Sequence, residues 1–395
     1  MQTRAVVRGA AAISAFAEAE RAGRDVAEQV IRALGTAEAR AVIYFATTHH
    51  APAYDRIERA ITSLLSVEHV VGCSAGGVVG AGREIERAPG VSALALAGDF
   101  EVKRFFISSL RGRAEEVGRE VGRVVGSLER PRSVVLFADT YNLAPDELLA
   151  GIASVAPDAR VFGAGASEDG SLGETAVFAR STTAANAVSG LALGGIQVRT
   201  LITQACRPVG AWQTITRAEQ NRILELDGRP ALEQYLAVLP EMLRADLKQA
   251  LRSTLAALAI ELTIGELAPP YVVRDLLGAD PERGALLVGD EVISGMRFAV
   301  AIRDPAGARQ ALEARLAQFA RTENRLAAAL YFNCFARGEV FYGVPEIDSA
   351  YIQRSLGTLA VAGLFSGAEF APLGGTNRLQ QYSGVLVGLE GDGRA

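Results

Sequence analysis

A strand, a helix, a glycine-rich turn and two further strand-like segments occur in the same order three times along this chain. The three copies span residues 41–98, 133–195 and 328–390. Most of their apolar runs are continuous and do not alternate with polar residues, which indicates strands that are covered on both faces. This repetition constrains the fold more than any single residue does, because each copy predicts the same supersecondary unit.

The glycine-rich and polar residues of each copy follow the point at which an apolar strand ends. These segments read VVGCSAGG (70–77), RVFGAGASEDG (160–170) and LAVAGLFSGAEFAPLGG (359–375). Binding sites of open α/β sheets lie at this position, beyond the ends of the strands. We therefore predict an α/β fold of mixed β-sheets covered by helices, built from repeated strand-helix-strand-strand units and divided into two lobes.

Segments with a broken apolar stripe predict the covering helices. We expect helices over residues 54–65, 114–128, 146–155, 306–319 and 349–356, and strands over 285–289 and 296–302. The rhythm changes after Trp212, where residues 223–262 predict a long helical region that Pro240 kinks or divides. This change predicts a domain boundary, with an N-terminal domain at 1–218 and a C-terminal domain at 219–395.

Charge and composition exclude several classes of protein. The chain has 395 residues and a net charge of -5, with no basic field for a nucleic-acid backbone. Its three cysteines are far apart and odd in number, which does not suit a disulfide framework and favours a reducing compartment. No apolar run approaches the roughly 20 residues of a membrane-spanning helix. We expect a cytoplasmic protein with no nucleic-acid partner and no membrane insertion.

Two residues are candidate nucleophiles. Ser74 lies in a G-x-S-x-G pattern, but glycines and β-branched residues follow it, and every histidine precedes it in the chain. Cys334 ends an apolar strand near Arg337, which would favour its thiolate. We predict that the protein is not an enzyme. A Cys- or Ser-dependent hydrolase or transferase is the alternative from another class.

Motifs for metals and common cofactors are missing from the sequence. The histidines and cysteines have no zinc spacing, and no phosphate-binding loop or complete dinucleotide fingerprint occurs. We therefore predict no metal and no resident cofactor. The adjacent pair His49 and His50 at a strand end leaves two alternatives open, an axial ligand of haem iron or solvated loop residues.

The sharpest binding hypothesis concerns Arg337 and Glu369, which lie on turns after strands. A zwitterion requires a guanidinium for its carboxylate and a carboxylate for its ammonium group, and backbone N–H groups of glycine-rich turns add further donors. The predicted ligand-binding residues are Cys73, Ser74, Gly76, Gly163, Gly165, Cys334, Arg337, Gly338 and Glu369.

Five blocks of the sequence, in order, carry a resemblance to a known family. They read GCSAGGVVGAGREIERAPGVSALAL, VFGAGASEDG with the later AVSGLALGG, ILELDGRPALEQYL, LYFNCFARG and AGLFSGAEFAPLGG. Together they resemble the FIST (F-box and intracellular signal transduction) module, with its N-terminal and C-terminal domains. The resemblance covers most of the chain.

The resemblance implies an intracellular sensory module that binds a small ligand, with amino acids as the proposed class. Such modules are often joined to histidine kinase, chemoreceptor or cyclic-nucleotide output domains. No output domain follows the last strand near Glu390. We therefore expect a stand-alone sensory protein that signals to a separate partner, a kinase or another output protein. Its oligomeric state is left open.

The resemblance also carries site residues and one further ligand. The family's Cys-x-Gly-Arg-Gly block corresponds to residues 334–338, where Ala336 replaces a glycine, and its Gly-Glu pair corresponds to Ala368 and Glu369. Both replacements imply stiffer loops. Some similar family members are described as haem-binding nitric-oxide sensors. That alternative would need an axial ligand from His49, His50, His69 or a cysteine.

Overall fold

The computed structural model describes residues 6–259, 270–322 and 325–391, which form two compact units. The larger unit takes in residues up to 203, 309–379 and from 383 onward, and the smaller unit takes in 204–308 and 380–382. The predicted α/β architecture of mixed sheets, helices and two lobes is confirmed. These units are not consecutive along the chain, whereas the predicted boundary between residues 218 and 219 separates two consecutive domains. That boundary stays a prediction.

The first repeat opens the larger unit. Its elements are β1 (Val6–Ser14), α1 (Ala19–Leu34), β2 (Ala39–Thr47), α2 (Tyr54–Leu65), β3 (His69–Ala75), β4 (Gly77–Gly80), β5 (Arg83–Glu86) and β6 (Val91–Asp99). A short 3₁₀ turn, Thr48–His50, follows β2. The predicted helix over 54–65 is confirmed, whereas α1 had not been predicted.

The second repeat has the same order of elements. They are β7 (Glu101–Ser108), α3 (Ala114–Gly126), β8 (Arg132–Ala138), α4 (Pro145–Val155), β9 (Arg160–Gly165), β10 (Val177–Ala179), β11 (Thr182–Ala184) and β12 (Ala187–Gly194). A 3₁₀ turn, Thr140–Asn142, occupies the position that Thr48–His50 has in the first repeat. Pro145 opens α4, where its fixed φ suits the first helical turn.

The third repeat begins with β13 (Val198–Gln204), after which the chain enters the smaller unit. The elements of that unit are β14 (Cys206–Glu219), β15 (Arg222–Leu226), β16 (Arg229–Pro230), α5 (Ala231–Val238), α6 (Glu241–Arg244), α7 (Leu247–Ser253), β17 (Leu255–Ala259), β18 (Val272–Asp280), β19 (Ala285–Val288) and β20 (Arg297–Arg303).

The long helical region predicted over 223–262 is wrong in extent. Three short helices lie there between β15 and β17, and Pro240 separates α5 from α6 as predicted. Residues 255–259 read LAALA, which favours a helix, yet every one of them is buried in a strand between β18 and β20. Burial in the sheet therefore outweighs helix propensity. Residues 260–262 lie outside the described residues.

The strands of the smaller unit form an antiparallel barrel. Their order is β14-β20-β17-β18-β19-β15, with β16 paired to β15, and a further pairing of β14 with β15 closes the circle. Ile215, Ala257 and Phe298 of these strands are fully buried. Closure leaves no unpaired strand edge in this ring of strands.

The chain then returns to the third repeat. Its remaining elements are α8 (Pro305–Thr322), β21 (Leu326–Cys334), α9 (Glu339–Tyr342), α10 (Ile347–Leu356), β22 (Val361–Ser366), β23 (Ala368–Leu373), β24 (Thr376–Gln380) and β25 (Ser383–Glu390). The repeat therefore has the order of the first two, with the smaller unit inserted in sequence between its first strand and its first helix.

The larger unit contains, in its described part, three six-stranded sheets of equivalent strand order. The orders are β1-β6-β2-β3-β10-β11, β7-β12-β8-β9-β23-β24 and β13-β25-β21-β22-β4-β5. Each sheet has one parallel pair at its centre, namely β2 with β3, β8 with β9 and β21 with β22. The threefold repetition predicted from the sequence is confirmed at the level of strand pairing.

The last two strands of each sheet come from another repeat. The hairpin β4–β5 of the first repeat pairs with β22 of the third, the hairpin β10–β11 of the second pairs with β3 of the first, and β23 of the third pairs with β9 of the second. This cyclic exchange ties the three repeats together through main-chain hydrogen bonds.

The three sheets share one apolar core. The central strands β2, β8 and β21 contribute Phe45, Phe137 and Phe332 at equivalent positions, and all three are fully buried. The ring centroids of Phe45 and Phe137 are 5.3 Å apart, and those of Phe137 and Phe332 are 6.3 Å apart, both with edge-to-face geometry. The three central strands therefore share one core, and their polar ends extend from it.

A glycine occupies the same position in the second strand of each parallel pair. Gly72, Gly163 and Gly363 each lie opposite the residue that precedes the core phenylalanine. A Cβ added at these glycines would lie 1.7, 1.8 and 1.9 Å from the facing carbonyl oxygen. Glycine is thus required at these three strand positions by the close approach of two backbones.

Two expectations about the whole chain concern its cysteines and its helices. Cys73, Cys206 and Cys334 are all free and buried. Among the helices in the described ranges, none combines the length and the apolar composition needed to cross a lipid bilayer.

Candidate functional site

Buried polar side chains gather where β21 ends. We name this group the β21 cluster, and it consists of Tyr331, Asn333, Arg337, Tyr342, Asp348, Ser366, Glu369 and Ser383. The cluster combines the end of β21 with α9, the first turn of α10 and the strands β22, β23 and β25. Polar side chains this deep in a protein need partners, so their hydrogen bonds define the site.

Arg337 and Asp348 form a buried ion pair at the centre of the cluster. The Arg337 Nη2 atom lies 3.1 Å from both carboxylate oxygens of Asp348, and Nε lies 3.2 Å from Oδ2. Both side chains are fully buried. Burial lowers the pKa of Arg337, but Asp348, Tyr331 and Tyr342 together outweigh it, so that the pKa lies above its ordinary value and the charge is retained. This geometry fixes one edge of the guanidinium group.

Two tyrosine hydroxyls complete the shell of Asp348. Tyr331 donates to Oδ2 at 3.0 Å, and Tyr342 donates to Oδ1 at 2.8 Å while accepting from Arg337 at 2.6 Å. Burial raises the pKa of both tyrosines, so each hydroxyl keeps its proton and remains a donor. Asp348 and the two tyrosines therefore hold the guanidinium in one orientation.

Two donors of the cluster have no partner among the described residues. They are Nη1 of Arg337 and Nδ2 of Asn333. Arg337 is 1% exposed and Asn333 is 0% exposed, so neither donor reaches bulk solvent. An unpaired buried donor costs free energy comparable to a lost hydrogen bond. These two N–H donors are therefore available for hydrogen bonds to a ligand.

Glu369 belongs to the same cluster, where the positive charge of Arg337 acts on its carboxyl group. Its carboxylate accepts from Ser366 Oγ and Ser383 Oγ, each at 2.7 Å, and the hydroxyl of Ser366 also lies 3.1 Å from the carbonyl oxygen of Asn333. Burial raises the pKa of Glu369 to about 8, although both serines and the positive charge of Arg337 act in the opposite direction. The carboxyl group is therefore largely protonated at neutral pH.

The first repeat supplies two further carboxyl groups through its exchanged hairpin. Glu84 accepts from the backbone N–H of Ser349 in α10 at 2.8 Å, and Glu86 accepts from that of Glu339 in α9 at 2.9 Å. Neither helix has a capping side chain of its own at its N-cap residue. Burial and repulsion by Asp348 raise the pKa of Glu84 to about 8. The hairpin exchange thus caps the two helices of the site.

We predict that Glu369→Gln makes stability less dependent on pH. The folded state holds the proton of Glu369 up to about pH 8, whereas the unfolded chain loses it near 4.5. The free energy of unfolding therefore falls across this window as pH rises, by ~1.4 kcal/mol per pH unit for one proton. Urea unfolding at several pH values measures the slope, which should become shallower in Glu369→Gln and stay unchanged in the exposed control Glu241→Gln. Equal slopes in all three proteins would contradict the assignment.

Ser74 and Gly76 of the predicted site lie where the three repeats interlock. Ser74 Oγ donates to the carbonyl of Ser167 at 3.1 Å and accepts from the N–H of Ala176 at 3.0 Å. Ser167 Oγ accepts from the N–H of Gly76 at 2.9 Å and donates to the carbonyl of Phe365. These hydrogen bonds therefore join residues of all three repeats.

The structure places the remaining predicted residues in two environments. Cys73 and Gly163 lie inside β3 and β9, and burial raises the pKa of the Cys73 thiol. Gly165 of β9 pairs with Ala368, which is the residue before Glu369 in β23. Cys334 pairs in register with Ser366 and is 9% exposed.

Gly338 is the N-cap residue of α9 with φ 79°, and a Cβ there would lie 2.4 Å from the carboxylate of Glu86. Cys334 follows Asn333 and its carbonyl accepts the backbone N–H of Arg337, while Ser366 links Asn333 to Glu369. Ligand binding by the nine predicted residues stays a prediction.

Sequence reasoning missed most of the partners in the β21 cluster. Asn333 did give a signal, because it is a polar residue within the apolar run AALYFNC. Asp348 and Glu84 gave none, since one depends on how α10 packs and the other on a hairpin that leaves its own sheet.

The two candidate nucleophiles differ in setting. Ser74 lies within β3, and β4 follows it, so no turn from strand to helix exposes the hydroxyl. Its hydrogen bonds to Ser167 and Ala176 leave it buried. Cys334 is nearly buried, close to Arg337, whose guanidinium is committed to Asp348. The hydrogen bonds of Ser74 given above reach backbone groups of Ser167 and Ala176 and not a general base.

Among the residues that the structure describes, the histidines and the possible metal ligands do not form a metal site. In the described ranges, no group of three or more His, Cys, Asp or Glu side chains could hold a metal ion. His50 is 2% exposed with neither ring nitrogen bonded to another described residue, and burial lowers its pKa to about 4. One cavity of about 390 Å³ lies between β1 and α10, and another of about 510 Å³ lies in the smaller unit. Neither is lined by a histidine or a cysteine, so they do not fit haem.

Comparison with known proteins gives the chain its family. Residues 40–229 match the FIST N domain and residues 231–372 match the FIST C domain. An uncharacterized protein of Mycobacterium bovis is 30% identical over 361 residues, which is 89% of this chain and 91% of that protein. An uncharacterized protein of Mycobacterium tuberculosis is 28% identical over 384 residues, covering 95% and 97% of the two chains. FIST domains are in general sensory domains of signal transduction, and this chain belongs to the FIST family.

Proposed function

We propose that the protein is a sensory module that binds a small zwitterionic ligand of the amino acid class at the β21 cluster and signals to a separate protein. The observation that carries this proposal is the pair of unpartnered buried donors, Arg337 Nη1 and Asn333 Nδ2, in one cluster with the carboxyl group of Glu369. A ligand with a carboxylate for the two donors and an ammonium group for Glu369 fits this set of groups.

The chemistry of the cluster matches an α-amino acid. The ligand carboxylate accepts hydrogen bonds from Nη1 of Arg337 and Nδ2 of Asn333, and its negative charge strengthens both of them. Its ammonium group lies against Glu369, which is largely protonated without a ligand because its pKa is about 8. A cation beside a carboxyl group favours the ionised form, so ligand binding releases a proton from Glu369.

Access to the cluster requires local opening, and α9 is the segment suited to it. This single helical turn contributes Tyr342 to the cluster, while Val340 is 76% exposed on its outer side. Gly338 and Gly343 flank it with φ values of 79° and 74°, which favour glycine. The exposed apolar residues Phe335, Val340 and Val344 lie on the same segment. A partner that contacts them would sense whether α9 is closed.

The test is a thermal-shift panel of the twenty amino acids at millimolar concentration, followed by calorimetric titration of any that bind. A ligand that binds only the folded state should raise the midpoint by about 2 °C or more. Titration in two buffers of different ionisation enthalpy should report release of a proton. A panel without any shift would contradict the proposal.

The matched control uses a second buried Arg–Asp pair. Arg337→Gln with Asp348→Asn removes the proposed carboxylate site and keeps the charge balance, while Arg274→Gln with Asp290→Asn does the same to the pair in the smaller unit. We expect the shift to vanish in the first variant and to persist in the second. Asn333→Ala is a milder second variant that removes one donor, and it should weaken binding. Equal shifts in all variants would rule out the β21 cluster as the site.

The same purified protein tests the two alternatives. A Soret band in its absorbance spectrum would establish haem, and rapid alkylation of Cys334 would establish a reactive thiolate. We expect neither result, because the two cavities lack histidine and cysteine, and Cys334 is nearly buried.

A further inference from the structure

The smaller unit has a cavity of about 510 Å³ that the β21 cluster does not involve. Residues of α7 line one part of it, and the strands β17, β18 and β20 contribute Leu255, Leu276 and Arg303. The volume lies in the ordinary range of small-molecule sites. The cavity therefore has room for a ligand of drug-like size.

Three cations line this cavity. Lys248 and Arg252 are four residues apart on α7 and so share one face of the helix, and Arg303 ends β20. The single lining carboxylate, Asp275, accepts the hydroxyl of Tyr382 at 2.6 Å. The local balance is therefore positive in a chain whose net charge is -5 and which has only two lysines. Such a balance favours an anionic ligand.

Apolar side chains lie directly beside these cations. Leu255 is 8% exposed and Leu276 is 7% exposed, so both contribute a buried apolar surface, while Leu277 is 62% exposed. Leu251 adds a half-buried side chain from α7. Leu277 is exposed next to the buried apolar surface of Leu255 and Leu276, and this arrangement favours an apolar group of the ligand at this position.

We propose that this cavity binds an amphipathic anion, a molecule in which one carboxylate or phosphate group is attached to an apolar chain. The anionic group pairs with Lys248, Arg252 and Arg303, and the apolar chain covers Leu255, Leu276 and Leu277. The site is separate from the proposed amino acid site, since all of its lining residues belong to the smaller unit.

The experiment titrates four probes into the full chain by calorimetry. Decanoate and decyl phosphate carry the two anionic groups, decanol is neutral, and decyltrimethylammonium is cationic. We expect binding of at least one anion, with decanol and the cation much weaker, and the tighter anion identifies the preferred group. Binding of decanol as tight as that of both anions, or no binding by either anion, would overturn the proposal.

Charge reversal identifies the cavity. Lys248→Glu with Arg252→Glu should weaken the anion roughly tenfold or more. The control Arg32→Glu with Arg56→Glu makes the same change in net charge on exposed positions of α1 and α2, and it should leave affinity unchanged. Leu277→Ser, at an exposed position, should weaken the anion without altering the charge. Equal affinity in the charge-reversed variant and its control would overturn the assignment to this cavity.

Discussion

Arg337→Ala is expected to lower the free energy of unfolding by about 3 to 5 kcal/mol. The substitution leaves the carboxylate of Asp348 buried without its ionic partner, with only the hydroxyls of Tyr331 and Tyr342 as donors. Asp348→Asn should destabilise the protein for the corresponding reason, because Arg337 then keeps an uncompensated charge. Urea unfolding of the purified variants measures both effects.

A double-mutant cycle separates the ion pair from the packing around it. Replacing both partners with apolar residues, Arg337→Met with Asp348→Leu, should cost less than the sum of Arg337→Met and Asp348→Leu made singly, because no unpaired charge remains. Tyr342→Phe removes one hydroxyl and should cost about 1 kcal/mol. If the two single substitutions prove additive, the pair does not act as the interdependent centre of the β21 cluster.

Gly72→Ala and Gly363→Ala are each expected to destabilise the larger unit by about 3 kcal/mol or more. The added Cβ would lie 1.7 Å and 1.9 Å from the carbonyl oxygens of Tyr44 and Tyr331, and these atoms belong to backbone that cannot move without breaking a parallel strand pair. Thermal and urea unfolding measure the loss, and soluble expression gives an early indication of it.

The matched control for these glycines is Gly126→Ala. Gly126 ends α3 without a positive φ, and the nearest atom to an added Cβ is 3.9 Å away. Alanine should be neutral or slightly stabilising there, because it has the higher helix propensity. Wild-type stability in Gly72→Ala or Gly363→Ala would show that the strands of that pair are not as close as described.

The sequence predicts two charged residues of the candidate site but not the residues with which they pair. Arg337 and Glu369 were predicted from strand ends and glycine-rich turns, and both lie in the β21 cluster. Their direct partners are Asp348, eleven residues after Arg337, and two serines on neighbouring strands. Partners of this kind depend on side-chain direction at the start of a helix or strand, which residue spacing leaves open.

The sequence alone determined the threefold repetition, the mixed α/β class and the membership in a sensory family. The first two depend on local patterns, namely continuous apolar runs, helical stripes and glycines at strand ends, which every repeat carries within itself, and the third depends on the resemblance of five sequence blocks to the FIST module. Only the tertiary structure decided that the hairpins exchange between sheets, that LAALA becomes a barrel strand, and that Glu84 caps a helix of the third repeat. These features depend on contacts between residues far apart in the chain, where burial and hydrogen bonding outweigh local preference.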